Sequence, residues 1–182
     1  MNSNIQSPAH YTRTAIALHW ALAAALLANF VLGVYMHELP FSMTRLKLYN
    51  WHKWAGILIL AASALRLLWR LKHRPPADLP MPLWQARVAH AAHLALYVLF
   101  FAVPLSGWAY SSAAGFPVVV FGVLPLPDFV PVDRALADTF KDLHKIFTLS
   151  LAAIVLLHIA GALKHQFVDR DGLLQRMRPR RA

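Results

Sequence analysis

The segment HKIFTLSLAAIVLLH, His144 to His158, carries no charge after Lys145, and the charge-free run continues to Leu163. A helix that crosses lipid needs about 20 mainly apolar residues, and this stretch belongs to such a helix. It is bracketed by two imidazoles, which lipid penalises unless they bond to something. An α-helix turns about 100° and rises about 1.5 Å per residue, so the fourteen-residue step from His144 to His158 falls about 40° short of whole turns. The two rings therefore share a face about 21 Å apart, one toward each surface of a hydrocarbon core roughly 30 Å thick.

The rest of the chain repeats the membrane signature. Its 182 residues are 58% hydrophobic and 14% charged, too apolar for an ordinary soluble domain. Residues 14–37 and 88–127 contain no charge, and a shorter charge-free window, 54–65, is flanked by Trp51, Trp54 and Trp69. Spanning helices are predicted at about 14–36, 50–71, 87–109 and 142–165, giving an all-α, integral membrane four-helix bundle as a single domain over residues 1–182. The first apolar run is too long for a cleaved signal segment and contains His19, so it is expected to be retained. Pro75 and Pro76 end the second helix, and Pro104 predicts a kink in the third. The stretch GFPVVVFGVLPLPDFVPV, residues 115–132, is apolar but broken by four prolines, so a surface-lying or re-entrant loop is expected before helical pattern resumes near Asp133.

The net charge of +10 does not point to nucleic acid, because its placement follows topology. Residues 1–13, 66–87 and 164–182 hold 12 Lys and Arg against 3 acidic residues, whereas 37–53 and 128–145 hold 6 against 5. The positive-inside rule then makes both termini cytoplasmic and turns the loops after the first and third helices outward. The basic tail QRMRPRRA reads as a topology signal that also touches anionic lipid. There is no cysteine, which excludes iron–sulfur ligation, disulfides and covalent haem attachment.

This topology sorts the histidines by depth. His144 and His52 lie toward the outer surface, and His158 and His19 toward the inner one, so pairs His52–His144 and His19–His158 join different helices at matching depth. His90 and His93 also lie at the inner level, and either could replace His19 opposite His158 or contact a propionate. Two axial imidazoles suit haem iron, whose porphyrin supplies the equatorial nitrogens, whereas structural zinc wants four protein ligands. Two non-covalent b-type haems are therefore expected. Gly56 and Gly161, close after His52 and His158, would let a flat macrocycle approach their helices. His165, seven residues beyond His158, continues nearly the same face toward the cytoplasm, and Arg66 either meets a propionate or snorkels to the interface. His10, His37 and His73 lie near ends or in loops and read as ordinary polar residues.

At these residues the sequence resembles the prokaryotic cytochrome b561 family. The matching features are HW at His19, HKWAG at His52, RLLWRLK closing the second helix, AHAAHLALY opening the third, and His144 with His158 on the fourth. The resemblance covers essentially the whole chain and implies axial haem ligands at His19, His52, His144 and His158, demoting His90 and His93. It also implies a multi-pass protein of the bacterial inner membrane that exchanges electrons with quinone. For the short stand-alone form it implies superoxide oxidation at the outer face coupled to ubiquinone reduction; His165, by its place two turns beyond His158, is then the expected quinone contact. Two bis-histidine irons leave no open coordination position, so transfer would be outer-sphere, and the outward Arg45, Lys47, Lys53, Arg134, Lys141 and Lys145 would draw an anionic donor. Other partners would be membrane lipid and a redox protein. The rival readings are a cytochrome b subunit relaying electrons from a separate dehydrogenase, and a histidine-lined metal transporter, which the apolar mid-helix segments disfavour.

Overall fold

The computed structural model describes residues 10–178. The polar leader before His10 and the last four residues of the basic tail lie outside the described residues. Four helices make up the fold: α1 (Arg13–Glu38), α2 (Met43–Lys72), α3 (Leu83–Ala113) and α4 (Arg134–Lys164). They are 26, 30, 31 and 31 residues long, so at about 1.5 Å per residue each exceeds a hydrocarbon core of roughly 30 Å. All four are long and apolar enough to cross a membrane. With four antiparallel passes, both described termini lie at one end of the bundle, here the terminal end. The α1–α2 and α3–α4 connections lie at the other, the loop end.

Local chemistry sets the helix starts. Side-chain oxygens of Thr12, Ser42 and Asp133 accept from the backbone N–H groups of Ala15, Arg45 and Leu136 at 3.2, 3.2 and 2.8 Å, which satisfies donors orphaned by the first turn. Because Ser42 and Asp133 cap early, α2 and α4 begin seven and eight residues before the apolar spans suggest. Apolar composition marks only the lipid-facing part of a helix, and these first turns carry Arg45, Lys47, Asp138 and Lys141. His52 is consequently well inside α2 rather than at its opening. The third helix passes through Pro104 without interruption.

The packed core lies between α3 and α4, where Leu96, Leu99 and Phe100 meet Leu151, with Leu26 of α1 against the edge. Close packing runs α1 to α2, α2 to α3 and α3 to α4. Neither α1 nor α2 packs closely on α4. The outward faces carry exposed Leu27, Val31, Leu58, Leu65, Leu94, Val98, Leu149 and Leu156, which is the surface a helix presents to lipid.

The proline-broken stretch is a small folded loop. Val119–Val120 (β1) pairs antiparallel with Leu124–Pro125 (β2). The reversal between them places Phe121 and Gly122 at φ 54° and 72°, and the Val123 N–H returns to the Val120 carbonyl at 3.1 Å. The loop is pinned to α2: Trp54 donates to the Val119 carbonyl at 2.6 Å, and Lys53 donates to the carbonyls of Phe116 and Pro117 at 3.2 and 3.3 Å. Val118, at 1% exposure, closes the contact. Only Val118 and Val120 of the loop are buried, while Phe116, Phe121, Val123 and Leu124 stay exposed, which is the surface-lying form of the two expected.

Candidate functional site

The histidines meet across the helix pairs that do not otherwise pack. His52 of α2 faces His144 of α4 with ring centroids 6.2 Å apart, and His19 of α1 faces His158 of α4 at the same 6.2 Å. Two imidazoles on one metal, with bonds of about 2.0–2.1 Å and each ring nitrogen about 1.1 Å from its centroid, stand roughly 6.3 Å apart. His93 also approaches His158, at 5.4 Å between centroids, which is short for a ring facing the same metal. His90 turns away to Asp78, 3.2 Å off.

At the loop-end pair the tautomer is set by α3. His144 Nδ1 lies 2.9 Å from the Val103 carbonyl, an acceptor only, so Nδ1 carries the proton and Nε2 presents its lone pair. Ser106 Oγ donates to that same carbonyl at 2.8 Å and stands 3.2 Å from Nδ1. His52 Nδ1 is aimed at the Asn29 carbonyl of α1 but does not close a full hydrogen bond. Both rings press against glycines: an added Cβ at Gly33 would come within 3.0 Å of His52 Cε1, and one at Gly107 within 3.0 Å of His144 Cε1.

The terminal-end pair is held differently. Arg66 Nη2 donates to His19 Nδ1 at 3.1 Å, and its guanidinium lies 5.6 Å over the Tyr97 ring, which Arg70 shares at 5.7 Å. Since arginine cannot accept, a neutral His19 here keeps its proton on Nε2. Trp20 meets the His19 ring edge-on at 5.2 Å.

Beyond α4 the chain makes one π turn, His165–Asp169, and reverses through left-handed Arg170 and Gly172. This hook brings Asp171 Oδ2 to 2.5 Å and Asp169 Oδ2 to 3.3 Å from His165 Nδ1. Three potential cation ligands gather there, but Lys164 Nζ sits 2.6 Å from Asp169 and supplies the positive charge itself. The hook is tied across the terminal end by Trp20, which donates to the Met177 carbonyl at 2.9 Å, and by Arg176, which donates to the Ala77 carbonyl at 2.6 Å.

Partial burial of Asp171 would raise its pKa, but the Leu173 N–H at 3.0 Å and the His165 ring outweigh that and hold it below the ordinary carboxylate range. A depressed folded pKa means the stabilisation is present above the unfolded value of about 3.9 and lost as pH falls through the folded one. Amide protection factors across residues 165–178 should therefore hold from neutral pH down to about 4 and fall only below it, and Asp171→Asn should abolish that acid step.

Of the basic residues expected to face an anionic donor, Lys53 is already engaged. Its ammonium bonds to Ser111 Oγ at 3.3 Å and to the two loop carbonyls, so it pins the loop rather than standing free. Sequence patterns did not reveal Gly33, Gly107 or Asp171. An unexplained glycine inside a helix was the one available signal for the first two.

The residues fit a pair of bis-imidazole haems. Donors match in number, type and spacing, the bridged helices stand apart, and a Cβ built on Gly56 or Gly161 meets nothing within 4 Å, leaving a cradle beside each. Known proteins identify the family. The family model for prokaryotic cytochrome b561 matches residues 10–180. The chain is 36% identical over 173 residues to "Cytochrome b561 homolog 2" of Escherichia coli strain K12, covering 94% of this chain and 92% of the relative. It is 29% identical over 177 residues to "Cytochrome b561 homolog 1" of the same organism, covering 94% of this chain and 98% of the relative. It is 32% identical over 131 residues to "Probable superoxide oxidase CybB" of Yersinia pestis, covering 71% of this chain and 74% of the relative.

Proposed function

The chain belongs to the prokaryotic cytochrome b561 family, haem-binding electron-transfer proteins of the membrane, and on that premise we propose that it is a di-haem superoxide:quinone oxidoreductase. In this reading it lies in the bacterial inner membrane with the terminal end cytoplasmic, as the excess of basic residues there supports. Superoxide gives up its electron at the loop end, and ubiquinone is reduced at the terminal end. The observation that carries the reading is the equal 6.2 Å separation of two histidine pairs between helices that do not otherwise pack.

His52 and His144 hold one haem b, and His19 and His158 the other. Each bound haem supplies a reversible one-electron centre. The chain's own work is orientation. Val103 holds the proton of His144 on Nδ1, so Nε2 faces the metal. His19 reaches the equivalent state only when Arg66 lets go of its Nδ1 and the ring proton moves there. Arg66 would then be free for a haem propionate, the charged partner its fork suits.

At the terminal end His165, 14% exposed, keeps Nδ1 on Asp171, and from the doubly protonated ring its Nε2 can donate to a quinone carbonyl and deliver a proton. At the loop end Arg45, Lys47, Arg134, Lys141 and Lys145 steer the anionic donor, with Asp138 and Asp142 interleaved among them.

The purified chain in lipid nanodiscs tests this. A reduced-minus-oxidised spectrum should show b-type bands with about two haems per chain, and superoxide should drive ubiquinone reduction at a rate that falls with salt. A single haem per chain removes the paired-site reading. Two haems without superoxide-driven reduction leave a cytochrome whose donor is something else.

A further inference from the structure

The loop-end histidines share a seat that the terminal-end pair lacks. Of the seven glycines, Gly33 and Gly107 alone have a histidine within contact. At Gly33 a Cβ would lie 3.0, 3.4 and 3.9 Å from Cε1, Nδ1 and Nε2 of His52. At Gly107 the corresponding distances to His144 are 3.0, 3.1 and 3.7 Å. In both places the ring turns its Cε1–Nδ1 edge into the backbone of a third helix, α1 for His52 and α3 for His144.

The helix geometry explains what that edge finds there. A helical carbonyl accepts the N–H four residues on, and the Cβ of that later residue tilts back toward the helix N-terminus, beside the same carbonyl. Glycine at the later position uncovers the second lone pair. Gly107 uncovers Val103, whose carbonyl lies 2.9 Å from His144 Nδ1, and Gly33 uncovers Asn29 beside the His52 ring, whose Nδ1 closes no hydrogen bond. Between these two notches the ring planes stand 89° apart, against 64° at the other pair.

We propose that Gly33 and Gly107 are matched positioning residues: they seat His52 and His144 edge-on in two backbone notches and hold the axial imidazoles of the loop-end haem crossed. The proposal rests on the ligand assignment above. It adds that this crossing is imposed by α1 and α3, outside α2 and α4, which supply the two loop-end ligands. Alanine at either glycine needs the ring to move by a few tenths of an ångström, and a ring held on a metal at one edge and against helix backbone at the other can answer only by rotating or tilting.

Crossed axial imidazoles give ferric haem a highly anisotropic low-spin EPR signal, and rotation toward parallel planes makes it less anisotropic. Oxidised Gly33→Ala and Gly107→Ala proteins, purified in nanodiscs, should each shift the low-spin signal that His144→Ala removes, and leave the one that His158→Ala removes in place. The second signal reports that the bundle is folded. Loss of the loop-end signal alone, with about one haem retained, also supports the proposal, because the ring has lost its seat. Unchanged spectra in both variants would overturn it, as would a shift confined to the terminal-end signal. Loss of both haems from both variants would also overturn it, since the glycines would then serve helix packing rather than the rings. A wild-type protein without two low-spin signals would instead defeat the ligand assignment itself.

Discussion

His144→Ala is expected to bring the haem content from about two per chain to about one and to remove one b-type spectral component while sparing the other. His158→Ala should do the reverse. On the proposed assignment each ring is one of two axial ligands, and the gap between helices that do not pack closely gives a flat group little else to hold it. The pairing makes the test stricter. His52→Ala must erase the component that His144→Ala erases, and His19→Ala the one that His158→Ala erases. His93→Ala should erase neither, although its ring is nearer to His158 than that of His19 is, 5.4 against 6.2 Å. If His93→Ala removes the terminal-end component and His19→Ala does not, the ligand on that side is misassigned.

The second large effect is expected at Arg66. Two consequences of Arg66→Ala oppose each other. Removing the guanidinium frees His19 Nδ1 from a donor 3.1 Å away and so eases ligation, by about 1 kcal/mol for an ordinary hydrogen bond. It also deletes a charge-assisted bond to a propionate, worth about 1.5–3 kcal/mol. The loss wins by about 0.5–2 kcal/mol, so the terminal-end haem should be retained roughly two- to thirtyfold less tightly. Its midpoint potential should fall as well, because a neighbouring positive charge favours the reduced form. Arg66→Lys should restore most of the potential and less of the retention, as it keeps the charge without the planar fork. Haem titration of the apoprotein and a redox titration measure the two separately. Unchanged retention with an unchanged potential would place Arg66 at the interface, stacked on Tyr97 and nothing more.

Much of this was legible in the residues. Charge-free windows marked four helices, and the fourteen-residue step from His144 to His158 marked one face of α4 with a ring toward each end. What escaped depends on neighbours or on water. The first turns of α2 and α4 are polar, and only the caps at Ser42 and Asp133 start them. The positions of Gly33 and Gly107 gain meaning only once α1 and α3 are rotated against the rings of other helices. Lys53 looked like a free surface charge because its partners are carbonyls 63 and 64 residues away. The hook that returns Asp171 to His165 turns on left-handed backbone at Arg170 and Gly172. No periodicity announces it.

The double duty of α4 has a consequence for which genetic changes the protein can accept. Between His144 and His158, outside Leu151 and the Phe147, Ile154 and Val155 packed beside it, the residue types are loosely constrained, and one aliphatic side chain facing lipid can replace another. The number of residues is not. One codon inserted or deleted there swings one ring about 100° around the helix relative to the other and takes it off its partner, whatever residue is added. Compensation by lengthening another helix fails, because the two rings opposite are carried by separate helices, α1 and α2. Drift in this interval is thus free in spelling and fixed in length, and the gene should tolerate missense change across it while rejecting every single-codon gap.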